Sequence, residues 1–119
     1  MAISEEWDEV DEAFKRLDHY GVLHPTLAAM RKLTDIVRQD SAFVDAHPSV
    51  SLASLALGLD HTRRCVVVAW NEDGSYEIGF VDPGEEFSEV TTASEHDVVE
   101  VVREYFQKLR ENRSPTING

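Results

Sequence analysis

Apolar residues recur at helical spacing near the start of the chain. They are separated by three, four and three residues: Trp7, Val10, Phe14 and Leu17. This spacing predicts a helix with one buried face. Ser4 is the predicted N-cap, followed by acidic residues that suit a helix N-terminus. Gly21 is the predicted residue just beyond the C-terminal end.

A second helical pattern begins at Pro25, a residue suited to the first turn of a helix. Its predicted apolar face consists of Leu27, Met30, Leu33 and Val37, with Ile36 as a further candidate. Residues 1–40 are therefore expected to form a helical hairpin. Residues 39–49 are predicted to be a connection, because Pro48 disfavours helical angles in the residue before it.

The segment SVSLASLALG, residues 49–58, fits two structures. A helical face would contain Leu52, Leu55, Ala56 and Leu59, whereas a strand face would contain Ala53, Leu55 and Leu57. Gly58 and the strand patterns that follow favour a strand. The choice between strand and helix stays open from the sequence alone.

A hairpin is predicted by the next two runs, RRCVVVAW (63–70) and SYEIGFVD (75–82). The first run is rich in β-branched residues, and the turn-forming sequence NEDG separates the two. In the second run alternate residues should face opposite sides. Tyr76, Ile78 and Phe80 are expected on the core side, and Glu77, Gly79 and Val81 on the outer side. FSEVTT (87–92) is a predicted third, edge strand.

The last helix is predicted to start after Ser94, with Asp97 completing a variant of the capping box. Its apolar stripe is Val98, Val101, Val102, Tyr105, Phe106 and Leu109. Residues 112–119 are expected to be a tail. The predicted fold is a single α+β domain spanning 1–119: two N-terminal helices, an antiparallel meander of three or four strands over 49–92, and a C-terminal helix over 94–111 packed on one sheet face.

Cysteine content and hydropathy argue against a disulfide-rich, secreted or membrane-spanning protein. One cysteine, Cys65, excludes an internal disulfide framework and a cysteine-rich zinc site. The acidic N-terminus lacks the pattern of a signal peptide, and no apolar run approaches the roughly 20 residues that cross a bilayer. A cytoplasmic protein without membrane association is expected.

Charge is the most distinctive feature of the chain. The net charge is −12, and residues 1–60 (11 acids, 5 bases) and 61–119 (12 acids, 6 bases) contribute equally. Between Cys65 and Val102 there are ten acidic residues and no lysine or arginine. Such a surface repels nucleic acid and anionic membranes and favours a basic protein partner. General solubility is the alternative explanation.

The charge pattern and the strand alternation together predict a partner-binding surface on the hairpin. Glu77 and Glu89 are expected side by side on the outer sheet face. The predicted rim consists of Glu72, Asp73, Asp82, Glu85 and Glu86. Trp70 is the predicted aromatic anchor, with Phe87 as a second candidate; core packing is the alternative for both.

The sequence contains no motif that indicates catalysis or cofactor binding. Phosphate-binding loops, metalloprotease and hydrolase signatures and calcium-loop spacings are all missing. His19 and His24 have unsuitable spacing for a metal site, and His61 with Asp60 and Arg63 is better explained as a turn. We expect no cofactor, no metal and no enzymatic activity.

The segments CVVVAW, SYEIGFV and SEHDVVEVVREYFQKLRENRSP, in this order, resemble small cytosolic immunity proteins that neutralise bacterial polymorphic toxins. The resemblance covers roughly residues 50–115 and includes no catalytic residues. It implies an inhibitor whose acidic surface fills the basic active site of a toxin domain of the nuclease or deaminase class. Three alternatives remain: a nucleic-acid mimic with another target, an acidic secretion chaperone, and a small enzyme or ligand-binding domain.

The expectation of no metal can be tested directly. Protein purified without added metal should contain no stoichiometric zinc or other transition metal by elemental analysis. A stoichiometric metal that is lost when His19 or His24 is replaced by alanine would contradict this expectation.

Overall fold

The computed structural model describes residues 2–19, 24–51, 53–60, 63–82 and 87–111. The helices in these ranges are α1 (Ala2–His19), α2 (His24–Gln39) and α3 (Val98–Glu111), and a short 3-10 turn spans Ser41–Phe43. The strands are β1 (His47–Ser51), β2 (Ser54–Gly58), β3 (Cys65–Trp70), β4 (Tyr76–Val81) and β5 (Ser88–Ala93). The α+β class is therefore as predicted.

The five strands form one antiparallel meander in the order β1-β2-β3-β4-β5. The predicted hairpin is present as β3 and β4, and β5 lies at a sheet edge as expected. The sequence predicted three or four strands, and the described residues contain five. Residues 39–49 are not only a connection, and 49–58 are not one strand, because β1 and β2 pair as a second hairpin.

Pro48 is compatible with its place in β1 because β1 is an edge strand. A proline cannot donate a backbone hydrogen bond, so it is tolerated at an edge but not in a central strand. Its use as evidence for a connection was therefore wrong. The chain returns to the sheet one residue earlier, at His47.

The helices and the inner sheet face share one hydrophobic core. Buried residues come from every described helix and from β2, β3 and β4, including Phe14, Met30, Leu55, Val68, Ile78, Phe80 and Phe106. Phe43 and Phe106 have ring centroids 5.4 Å apart, and those of Phe80 and Tyr105 are 5.0 Å apart. The predicted core side of β4 is confirmed, since Tyr76, Ile78 and Phe80 are all buried.

The predicted stripe of α3 is also confirmed. Five of its members are buried: Val98, Val102, Tyr105, Phe106 and Leu109. The hydroxyl of Ser94 accepts a hydrogen bond from the Asp97 N–H at 3.3 Å, which is the predicted N-terminal cap. At the other end of the chain the N-cap prediction was wrong: α1 begins at Ala2, before Ser4. Gly21 lies outside the described residues.

Two arginines of α3 form ion pairs and hydrogen bonds with the segment that leads from α2 into the sheet. Arg110 Nη2 lies 2.7 Å from Asp45 Oδ1 and donates to the Ala42 carbonyl at 2.9 Å. Arg103 Nη2 lies 2.7 Å from Asp40 Oδ2. Hydrogen bonds from these arginines lower the pKa of both aspartates. These ion pairs hold the segment against α3.

None of the helices in the described part of the chain is both long and apolar enough to cross a membrane.

The placement of α3 generates a stability prediction. Val102 is fully buried, so Val102→Asp places an unpaired charge in the core and should lower the free energy of unfolding by several kcal/mol, on the order of what a marginal domain possesses. Gln107→Asp is the matched control on the exposed side of the same helix. Its expected cost is about 1 kcal/mol or less, because it replaces the hydrogen bond to Glu111 with a like charge near the helix C-terminus. Urea unfolding followed by circular dichroism measures both. Equal stability of the two variants would refute the packing of α3.

Candidate partner-binding surface

The outer side of the sheet is a nearly uncharged surface. We define the outer sheet face by the residues that alternate with core positions on the three central strands: Ala56, Cys65, Val67, Ala69, Glu77, Gly79 and Val81. None of its apolar members belongs to the core cluster that the described helices cover. Glu77 is its one carboxylate. The predicted anionic sheet face is thus mostly small and apolar.

The aromatic ring of Phe87 lies on the outer sheet face. A Cβ atom added to Gly79 would be 2.8 Å from Phe87 Cε1 and 2.8 Å from the Ser88 carbonyl oxygen. Because real Cβ atoms do not approach other atoms so closely, only glycine allows Phe87 and β5 to lie this near to β4. Of the two interpretations of Phe87, the structure therefore favours a surface aromatic over core packing.

A bulge in β5 separates two glutamates that were expected side by side. Ser88 pairs with Phe80 and Thr91 pairs with Ile78, so Glu89 and Val90 together lie opposite Gly79. Glu89 has a φ of 53°, which is uncommon for a residue other than glycine. The partner of Glu77 across the strands is Thr92. The predicted pairing of Glu77 with Glu89 was therefore wrong.

The unusual backbone of Glu89 has a stabilising contact from the core. The Tyr105 hydroxyl of α3 donates a hydrogen bond to the Glu89 carbonyl oxygen. Burial, followed by the nearby Glu89 carboxylate, raises the pKa of Tyr105, so the hydroxyl keeps its proton for this bond. The helix thereby holds the bulge, and the bulge directs β5 past Gly79.

The β3–β4 turn presents two exposed carboxylates. Asp73 Oδ1 accepts hydrogen bonds from the Ser75 N–H at 2.9 Å and the Ser75 hydroxyl at 2.6 Å, which lower the pKa of Asp73. Gly74 occupies the left-handed region with a φ of 91°. Glu72 forms no ion pair within the described part of the chain. Asp73 therefore shapes the turn, and Glu72 projects from it.

Trp70 lies on the helix side of the sheet. It pairs with Tyr76, which faces the core, and it is partly buried against the core cluster. The core-packing alternative thus describes Trp70 better than the predicted role of exposed anchor.

The predicted acidic rim divides between the two ends of β4, which are five residues and therefore about 17 Å apart. Glu72 and Asp73 lie in the β3–β4 turn, at the near end, and Asp82 follows β4 at the far end. At the far end Arg64 Nη2 lies 3.1 Å from Asp82 Oδ2, and Arg64 Nη1 lies 3.8 Å from Glu89 Oε2. The same guanidinium lies 5.1 Å from the centroid of the Phe80 ring. Asp82 and Glu89 thus share one cation, which offsets one of their two negative charges. Glu85 and Glu86 lie outside the described residues.

Two further acidic residues join the near end of the sheet. The pairing of Ala93 with Tyr76 places the β5–α3 connection, which contains Glu95 and Asp97, beside the β3–β4 turn. Glu95 Oε2 accepts a hydrogen bond from Lys32 Nζ at 2.8 Å, which lowers the pKa of Glu95. Glu95 lies on the helix side of the sheet beside Lys32 and Tyr76, whereas Glu77 lies on the outer side. We define the hairpin-end acidic cluster as the five carboxylates at this end of the sheet, on both of its sides: Glu72, Asp73, Glu77, Glu95 and Asp97. The meander order could have revealed the last two from the sequence.

No protein-family model, curated protein or solved structure matches this chain. Within the residues that the structure describes, no group of three or more histidine, cysteine, aspartate or glutamate side chains could hold a metal ion.

The contact between Gly79 and Phe87 generates a prediction. Gly79→Ala should destabilise the protein by about 1–3 kcal/mol, because the new methyl group meets the Ser88 backbone as well as the Phe87 ring. Gly58→Ala is the matched control in β2, where the nearest atoms lie 3.8 and 3.9 Å from the added carbon. Thermal unfolding of the two variants provides the measurement. Unchanged stability of Gly79→Ala would show that Phe87 and β5 do not lie against β4 as described.

Proposed function

We propose that this protein is an immunity-type inhibitor that binds and neutralises a basic toxin domain of the nuclease or deaminase class. The observation that carries the proposal is the combination of the outer sheet face with the hairpin-end acidic cluster beside it. No described helix packs on the outer sheet face. Within the described ranges, Lys32 is the only cation that pairs with the hairpin-end acidic cluster.

The outer sheet face supports protein–protein binding through its composition. The partly exposed side chains of Cys65, Val67, Ala69 and Val81 and the Phe87 ring offer apolar area to a partner, whereas Ala56 is buried. The centre of a stable interface is likewise depleted in charge. Glu77 lies within this apolar area, and its neighbours across the strands, Ala69 and Thr92, carry no charge. No lysine or arginine of the described residues forms an ion pair with Glu77. An arginine of the partner would therefore pair with Glu77 without displacing another cation.

The hairpin-end acidic cluster supports a basic partner in particular. Complementary charges steer association and reject partners of like charge. Nucleic acid and anionic membranes carry the same sign as this cluster, so they are disfavoured as ligands. A nuclease or deaminase domain has a basic substrate-binding site, and carboxylates arranged at the end of a sheet would occupy it in place of phosphates.

The proposal predicts that binding depends on where the acidic residues lie. Glu72→Lys combined with Glu77→Lys should slow association with the basic partner by about tenfold, because the steering charges are reversed. The control is Glu9→Lys combined with Glu104→Lys, an equal charge change at exposed positions of α1 and α3. The substitutions at the exposed residues Glu9, Glu72 and Glu104 should each change the unfolding free energy by about 0.5 kcal/mol or less. Glu77 is half-buried, so thermal unfolding of its variant is measured before binding.

The partner for this measurement is a toxin domain encoded beside the gene, or the basic protein that the tagged chain retains in its native host. Surface plasmon resonance at low and high salt gives the rates, and inhibition of the toxin's activity gives the function. If both double variants lost the same factor in association rate, the net negative charge of the protein, and not the position of the acidic residues, would determine binding. A retained partner that binds nucleic acid but is no toxin would favour the mimic alternative.

A further inference from the structure

The imidazole ring of His47 lies between two carboxylates from different elements. His47 Nδ1 is 2.8 Å from Glu6 Oε1, and His47 Nε2 is 2.6 Å from Asp60 Oδ1. Glu6 belongs to α1, His47 is the first residue of β1, and Asp60 lies in the β2–β3 connection. One side chain thus joins three segments that are distant in the sequence.

This geometry requires a charged ring. An ionised carboxylate only accepts hydrogen bonds, and a neutral imidazole has a single N–H to donate. With carboxylate oxygens at hydrogen-bond distance from both nitrogens, only the imidazolium form satisfies both contacts. Loss of the proton leaves a ring lone pair facing a carboxylate, so one of the two contacts must open.

The contacts lie where α1 meets the sheet. α1 packs chiefly against β1 and α2, and the residue after Glu6 is the buried Trp7. β1 is an edge strand, held by β2 on one side only. The contact between Glu6 and His47 therefore joins α1 to the edge strand, in addition to the ion pairs of Asp8 with Arg38 and Asp11 with Arg31 that join α1 to α2.

The charges around His47 favour its protonated form. Glu6 from α1 and Asp60 from the β2–β3 connection contact the ring, and Asp45, two residues before it, interacts with it at longer range. Asp45 is itself paired with Arg110 of α3. The hydrogen bond with Glu6 is the main cause that raises the pKa of His47, opposed by partial burial of the ring.

We propose that Glu6, His47 and Asp60 form a pH-dependent pair of ionic contacts. These contacts hold α1 against the edge strand when the His47 ring is protonated, and they weaken when it is not. This device is independent of the proposed toxin binding. It would make the local stability of α1, rather than the fold as a whole, respond to pH in the neutral range, where histidine is the side chain that ordinarily titrates.

The direction of the pH dependence follows from the contacts. The folded protein holds the His47 proton more tightly than the unfolded chain, whose ordinary pKa is about 6.5. The stabilisation is therefore fully present below about pH 6.5 and is lost as the pH rises through the higher pKa of the folded state. Acidification through this window should tighten α1, and mild alkalinisation should loosen it.

The test combines a ring titration with amide protection. NMR of the His47 ring should give a pKa above about 6.5 in the wild type. Glu6→Gln should lower this pKa more than Asp60→Asn, because the Asp60 side chain is 88% exposed and its contact is screened by water. A His47 pKa at or below its ordinary value would overturn the proposal, as would equal responses to both substitutions.

Hydrogen exchange then tests the consequence. Protection factors of the α1 amides, corrected for intrinsic exchange, should fall between pH 6 and pH 8.5 in the wild type relative to those of α3. They should stay level in His47→Gln, which has no titrating ring. Should His47→Gln fail to fold, Glu6→Gln replaces it, with an expected smaller fall in protection. Identical pH profiles of α1 protection in the wild type and the variant would refute the proposal that the His47 contacts hold α1.

Discussion

Burial of the inner sheet face beneath the helices is the interaction on which the other features depend. Val66, Val68, Ile78 and Phe80 are all buried in this layer. Fully burying a side chain of this size contributes about 1.5–3 kcal/mol, more than an exposed ion pair. Because strand residues alternate, placing Ile78 and Phe80 inward directs Glu77 and Gly79 outward. The outer sheet face is thus a consequence of core packing and needs no separate determinant.

The long periodic segments could be predicted from the sequence because burial decides their structure. The stripe of α3 and the β3–β4 hairpin both have apolar residues at the spacing of one face, so pattern and fold agree. The β1–β2 hairpin could not be predicted in the same way. Its strands have five residues each and contain serines and Pro48, and the helix that packs against β1 is α1, from a distant part of the chain.

The arrangement of charge was harder to predict than the fold. Arg64 precedes the stretch without basic residues by one position, yet the guanidinium lies against Asp82 and near Glu89. The bulge at Glu89 depends on the Tyr105 hydroxyl from a distant helix, which no local pattern indicates. In contrast, Glu72, Asp73 and Glu77 could be placed correctly, because a tight hairpin fixes them with respect to the strands.

Mapping the contact area on a complex shows whether partner binding uses the outer sheet face and the hairpin-end acidic cluster. Hydrogen exchange of the protein with and without its basic partner provides this map. We expect added protection in the β3–β4 turn and in β4, where the bound partner excludes water, and none on the exposed side of α1. Added protection confined to the helices, with an unchanged β3–β4 hairpin, would contradict it.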